Sequence, residues 1–132
     1  EISACLVGSE MCIRDSVMLA SKVVLGNADG VDTLVFDEVD AGVGGSTARA
    51  LAGVLADLAS THQVIVVTHL AQVAVMADKH YVVSKEPGDV PQTHLDEVTG
   101  EARTAEIARM LSGDQSEASL AHAKQMLEEA RG

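Results

Sequence analysis

TLVFDEVDAGVGG, residues 33–45, is the stretch from which the fold can be read. Thr33–Phe36 is a short continuous apolar run, the pattern of a strand buried on both faces. It ends in Asp37 and Glu38, and a glycine-rich stretch, Ala41–Gly45, follows. Gln63–Thr68 (QVIVVT) repeats the pattern and ends at His69. Between the two runs, Ala48, Leu51, Ala52, Leu55, Leu58 and Ala59 recur at helical spacing and share one face. Ser46 or Thr47 is the expected cap of that helix.

Working outward, Val17–Leu25 (VMLASKVVL) reads as a helix and Gly26–Gly30 as a loop of turn formers. Leu70–Ala77 reads as a short helix and His80–Ser84 as a third strand. Strand, helix, strand, helix, strand is the order of a parallel α/β sheet. Glu86–Asp89 is a turn, and Thr93–Val98 a short edge strand closed by Thr99 and Gly100. Two helices are expected over 102–111 and 117–130, with Gly113 between them. Met110, Leu111, Leu120, Met126 and Leu127 read as packing residues. No linker separates two domains.

Nearly half of the 132 residues are apolar and only Phe36 and Tyr81 are aromatic, so the core is expected to be aliphatic. The net charge of −11 excludes a chain that binds nucleic acid chiefly by itself, because such binding rests on Lys and Arg neutralising phosphates. Two cysteines, Cys5 and Cys12, are too few for a disulfide framework and lack metal-site spacing. No apolar run approaches the roughly 18 residues that span a bilayer, and no leader pattern is present. A cytoplasmic location without membrane contact is expected.

In open α/β sheets, ligands bind beyond the carboxyl ends of the strands. If the two apolar strands are neighbours, Asp37–Glu38 and Thr68–His69 converge there. Successive side chains of an extended chain point to opposite sides, so the two carboxylates can serve two ends. Asp37 can hold a hydrated Mg²⁺, and Glu38 can orient an attacking water. The glycines of 40–45 allow close approach of another surface. His69 can hydrogen-bond a terminal phosphate, whereas His62, His80, His94 and His122 read as surface residues.

These pieces, in this order, resemble the C-terminal ATPase lobe of ABC and SMC proteins, a P-loop NTPase fold with a mostly parallel sheet flanked by helices and a C-terminal helical tail. DEVDAGVGG followed by VIVVTHLAQVA, together with VMLASKVVL and the tail EIARMLSG (Glu106–Gly113), is closer to the bacterial SMC-like DNA repair family called RecN. The resemblance runs from about Val17 to the end of the chain. It implies that Asp37 is the Walker B aspartate assisting Mg²⁺ and Glu38 the general base or water-orienting group. It also makes His69 the switch histidine on the γ-phosphate of ATP. Asp40, Gly42, Gly44 and Gly45 would belong to the D-loop at the nucleotide and the opposing subunit. The implied partners are an N-terminal lobe carrying the phosphate loop, a second identical head, and DNA met through a coiled-coil protein of the bacterial nucleoid.

Two departures qualify the resemblance. No GxxxxGK[ST] phosphate loop occurs in the chain. The ABC signature expected immediately before Val17 is also missing. CLVGSEMCIRDS, residues 5–16, stands there instead and reads as translated sequencing-adapter sequence. Residues 1–16 are therefore expected to be non-native and 17–132 to be the C-terminal half of the ATPase head. The chain alone should be inactive, the intact protein an ATPase in double-strand-break repair and recombination. The alternatives are another ABC ATPase, such as a chromosome-organising SMC protein or a transporter subunit, and a metal-dependent nuclease site built from Asp37, Glu38 and Asp40.

Overall fold

The computed structural model describes residues 32–37, 39–40, 42–86 and 92–132. The expected helix at Val17–Leu25, the loop at Gly26–Gly30, the segment 1–16, Glu38, Ala41 and most of the turn at Glu86–Asp89 lie outside them. Two compact units divide the chain, one ending at His69 and the other running from Leu70 to Gly132.

In the first unit, strand β1 (Thr33–Asp37) leads through a turn closed between Asp40 and Val43 to helix α1 (Gly45–Ala59), and α1 leads to strand β2 (Gln63–Val67). The two strands are parallel and in register, Val35 opposite Ile65 and Asp37 opposite Val67. The inner face carries Phe36, only 1% exposed, and α1 packs against β2 through the buried Ala48, Leu51, Ala52, Leu55 and Leu58. Burial of each leucine contributes about 1.5–3 kcal/mol before the costs of ordering. Ala59, expected on that face, is exposed.

Two local expectations change here. Gly44 is the N-cap of α1, without a side-chain cap bond, and Ser46 and Thr47 fall within the first turn. The strands are not buried on both faces either: Val35 is 57%, Ile65 47% and Val67 55% exposed. An apolar run of this length fits a strand covered on one face or on two, because periodicity alone does not count the layers.

In the second unit, the short helix α2 (Ala71–Ala74) is followed by strands β3 (His80–Glu86) and β4 (Gln92–Val98). These two strands form an antiparallel pair with Val83 opposite Leu95. The third strand thus pairs with its sequence neighbour, where a further parallel strand was expected. Helices α3 (Gly100–Ser112) and α4 (Glu117–Arg131) close the chain. Gly113 ends α3 in the left-handed conformation, φ 76°, where its N–H donates to the Arg109 carbonyl at 2.8 Å. Ser116 caps α4 by accepting from the Ser119 N–H.

The core of this unit gathers Ala71, Ala74 and Val75 with Ile107 and Ala108 of α3 and Ala123 and Leu127 of α4. Met110, Leu111, Leu120 and Met126 pack around it, as the apolar stripe predicted. No helix among the described residues is long and apolar enough to cross a membrane.

Candidate functional site

The parallel register places the C-terminal ends of β1 and β2 side by side, so the chain segments that follow them, beyond Asp37 and beyond Val67, leave the sheet at one edge. Asp37 is exposed at this edge. Glu38, which follows it, lies outside the described residues.

After Glu38 the backbone turns sharply. The Val43 N–H donates to the Asp40 carbonyl at 3.0 Å, and Gly42 takes the left-handed conformation, φ 74°. A turn of this kind requires positive φ at its third residue, which glycine adopts without steric cost. Gly44 and Gly45 are exposed and lead into α1.

The turn carries Asp40 inward. It is 1% exposed and is the only polar residue in the buried set among the described residues. Its Oδ2 accepts from the Thr68 hydroxyl and, at 3.0 Å, from the His69 backbone N–H. The imidazole Nδ1 of His69 lies 3.2 Å from the same oxygen, while the His69 side chain is 69% exposed. The other carboxylate oxygen, Oδ1, is buried without a hydrogen-bond partner among the described residues. Burying a carboxylate is costly unless it is hydrogen-bonded, and the Thr68–His69 segment supplies those bonds.

The sequence pointed to Asp37, Asp40, Gly42, Gly44, Gly45 and His69; of these, Asp40 meets His69, Asp37 stands opposite Val67 at the same sheet edge, and Gly42, Gly44 and Gly45 follow Asp40 towards α1. It did not reveal that Asp40 faces the Thr68–His69 segment. The available signal was the run of hydrogen-bonding groups at the two strand ends, Asp40 on one side and Thr68 on the other. The reading of Asp37, Glu38 and Asp40 as a two-metal nuclease site is not favoured, because the Asp40 carboxylate is buried and engaged by Thr68 and His69. Among the described residues no group of three or more His, Cys, Asp or Glu stands together as a metal cage. Mg²⁺ needs none, since it keeps several waters and takes one or two carboxylates beside substrate phosphates. An exposed strand-end carboxylate such as Asp37 fits that donor set.

A second polar cluster lies in the unit that begins at Leu70. The Arg103 guanidinium Nη2 donates to the carbonyls of Ala74, Val75 and Ala77, at 3.2, 3.3 and 2.6 Å. These carbonyls are at or just beyond the end of α2, where helices leave acceptors unpaired. His80 is half-buried, which corrects the surface reading. Burial, and then the Arg103 charge, push its pKa below the ordinary histidine value, with Glu106 opposing.

No protein-family model matches the chain. DNA repair protein RecN of Deinococcus radiodurans is 54% identical over 112 residues, covering 84% of this chain and 20% of that protein. RecN of Treponema pallidum is 51% identical over 113 residues, again 84% and 20%. RecN of Streptomyces coelicolor is 49% identical over 117 residues, 87% and 20%. The chain therefore spans about a fifth of the length of these curated relatives. A chain solved in work on ATP-driven dimerization and DNA-stimulated activation of SMC ATPases superposes with a TM-score of 0.56 at 20% identity. The match covers 87% of the present chain and 57% of that one, and at this identity it shows the fold alone.

Proposed function

Because this chain is RecN-like over 84% of its length, we propose that it supplies the Walker B, D-loop and switch-histidine part of an ATPase head in a DNA repair protein. The observation that carries the reading is the register of β1 and β2, which brings Asp37 and the segment ending in His69 to one edge of a parallel sheet.

In this reading Asp37 holds Mg²⁺, largely through water, and the ion supplies charge neutralisation on the phosphates when bound. Glu38, the next residue along the chain, orients the attacking water and takes its proton. His69, with its side chain open to solvent, meets the terminal phosphate oxygen. The exposed Gly44 and Gly45, with Gly42 before them, offer backbone to the nucleotide and to a second head across from it.

The fragment's chemistry is incomplete by itself. It has no GxxxxGK[ST] phosphate cradle and is strongly acidic, so nucleotide binding depends on a lobe that carries that loop. DNA contact belongs to other parts of the intact protein. Residues 17–132 form the C-terminal half of the head, and residues 1–16 are not native to it.

The test is Glu38→Gln in the intact protein. Nucleotide binding is expected to persist, and turnover to fall by roughly 10²–10⁴-fold, the usual worth of a positioned general base. Turnover equal to the parent would overturn the reading.

A further inference from the structure

Asp40 does more than cap a turn. Its buried Oδ2 faces three groups on the neighbouring strand end: the Thr68 hydroxyl, the His69 backbone N–H at 3.0 Å, and the His69 ring Nδ1 at 3.2 Å. Backbone and side chain of one histidine thus meet a single oxygen. We propose that Asp40 is a positioning residue for His69, holding the imidazole by Nδ1 so that Nε2 is the nitrogen presented outward.

The inference rests on the reading of His69 as the group that meets a terminal phosphate, and it names what aims that group. A neutral imidazole left to itself carries its proton mostly on Nε2 and rotates freely on an exposed side chain. A carboxylate at Nδ1 favours the opposite tautomer, because a hydrogen bond to a charged acceptor is stronger than one to water. Nε2 then stays free of its own proton until one is added, and a proton added there is directed at whatever oxygen lies in front of it. The second oxygen of Asp40 is buried without a hydrogen-bond partner among the described residues, so the contact with the ring rests on Oδ2. Asp40 also opens the 40–45 loop, so one carboxylate joins the loop that faces a second head to the histidine that faces phosphate.

The first measurement needs no variant. In the full-length protein labelled with ¹⁵N-histidine, with the resonance assigned by loss in His69→Gln, neutral His69 is expected as the Nδ1–H tautomer. Finding the Nε2–H tautomer in the parent protein overturns the proposal. Asp40→Leu should then move the tautomer ratio about tenfold or more towards Nε2–H. Asp40→Asn, which keeps an acceptor without the charge, should move it less and recover part of the turnover that Asp40→Leu loses. Thr68→Val removes a different bond from the same oxygen and should leave the tautomer unchanged. A ratio unmoved by Asp40→Leu, or moved equally by Thr68→Val, overturns the proposal. Because the tautomer is read without nucleotide, this outcome is independent of whether Glu38→Gln abolishes hydrolysis.

Discussion

Arg103→Met should loosen the segment that follows α2, and the size of the effect can be worked from the geometry. Arg103 donates to three carbonyls, those of Ala74, Val75 and Ala77; Ala74 and Val75 are buried, and because the Ala74 carbonyl also accepts from the Ala77 N–H at 3.3 Å, Val75 is the buried acceptor that depends on Arg103. Methionine keeps much of the apolar stem and removes every donor. A buried acceptor left unpaired costs about 1–3 kcal/mol. Arg103 is itself partly exposed, and the Ala77 carbonyl can turn to water, so about 2 kcal/mol is expected in place of the sum of three bonds. That corresponds to about thirtyfold faster amide exchange in residues 71–77 through local opening. Hydrogen-exchange mass spectrometry of the intact protein reads it directly, with α1 as the internal reference. Arg103→Lys should recover only a fraction, because a point-charge ammonium does not reproduce the planar fork. Exchange in residues 71–77 within twofold of the parent would refute the capping role.

Two further outcomes follow from backbone and charge. Gly42→Ala should cost about 1–2 kcal/mol of local stability from its positive φ alone, since a Cβ there would meet nothing within 4 Å; the loss is expected as faster exchange at the turn, and an unchanged rate would show that the turn relaxes. Asp114 is held at about pKa 2 by the Ser116 backbone N–H and by the Ser119, Ser112 and Ser116 hydroxyls. Its folded value lies below its unfolded one, so its contribution is present above the ordinary carboxylate range and is lost as pH falls from about 4 towards 2. Asp114→Ala should therefore reduce protection at the α3–α4 junction at neutral pH and abolish that part of the acid sensitivity, which an exchange series from pH 6 to pH 2.5 would follow.

The parallel pair and its helix were legible because three signals agreed: two apolar runs, a helical face from Ala48 to Leu58, and chemically useful residues at both strand ends. Position along the chain then sufficed to set the ends of the two strands, Asp37 and Val67, side by side. What the sequence hid was partner choice. HYVVSKE carries the same apolar character as QVIVV, yet it pairs with QTHLDEV a few residues later, because a short connection makes a hairpin cheaper than a crossover. The inward turn of Asp40 was hidden for a related reason. A carboxylate beside three glycines reads as exposed, and only the left-handed backbone at Gly42 and the waiting donors at Thr68 and His69 make its burial tolerable. His80 was misread as a surface residue because its partial burial, and the Arg103 charge that acts on it, arise from tertiary structure that no local pattern records.

The register of the parallel pair also sets the order in which the chain can organise. Thr33 meets Gln63 thirty positions on, and their side chains bond at 3.0 Å, whereas Glu86 meets Gln92 only six positions away. Closing the longer loop costs about 1.4 kcal/mol more in chain entropy, and nothing is gained until both apolar strands and α1 are in place. Of the two described strand pairs, the one closed by the shorter loop is therefore the one away from the candidate site. The edge carrying Asp37, Asp40 and His69 depends on the more distant of the two described strand pairings, so slowed or weakened collapse would be felt there before it is felt in the C-terminal hairpin.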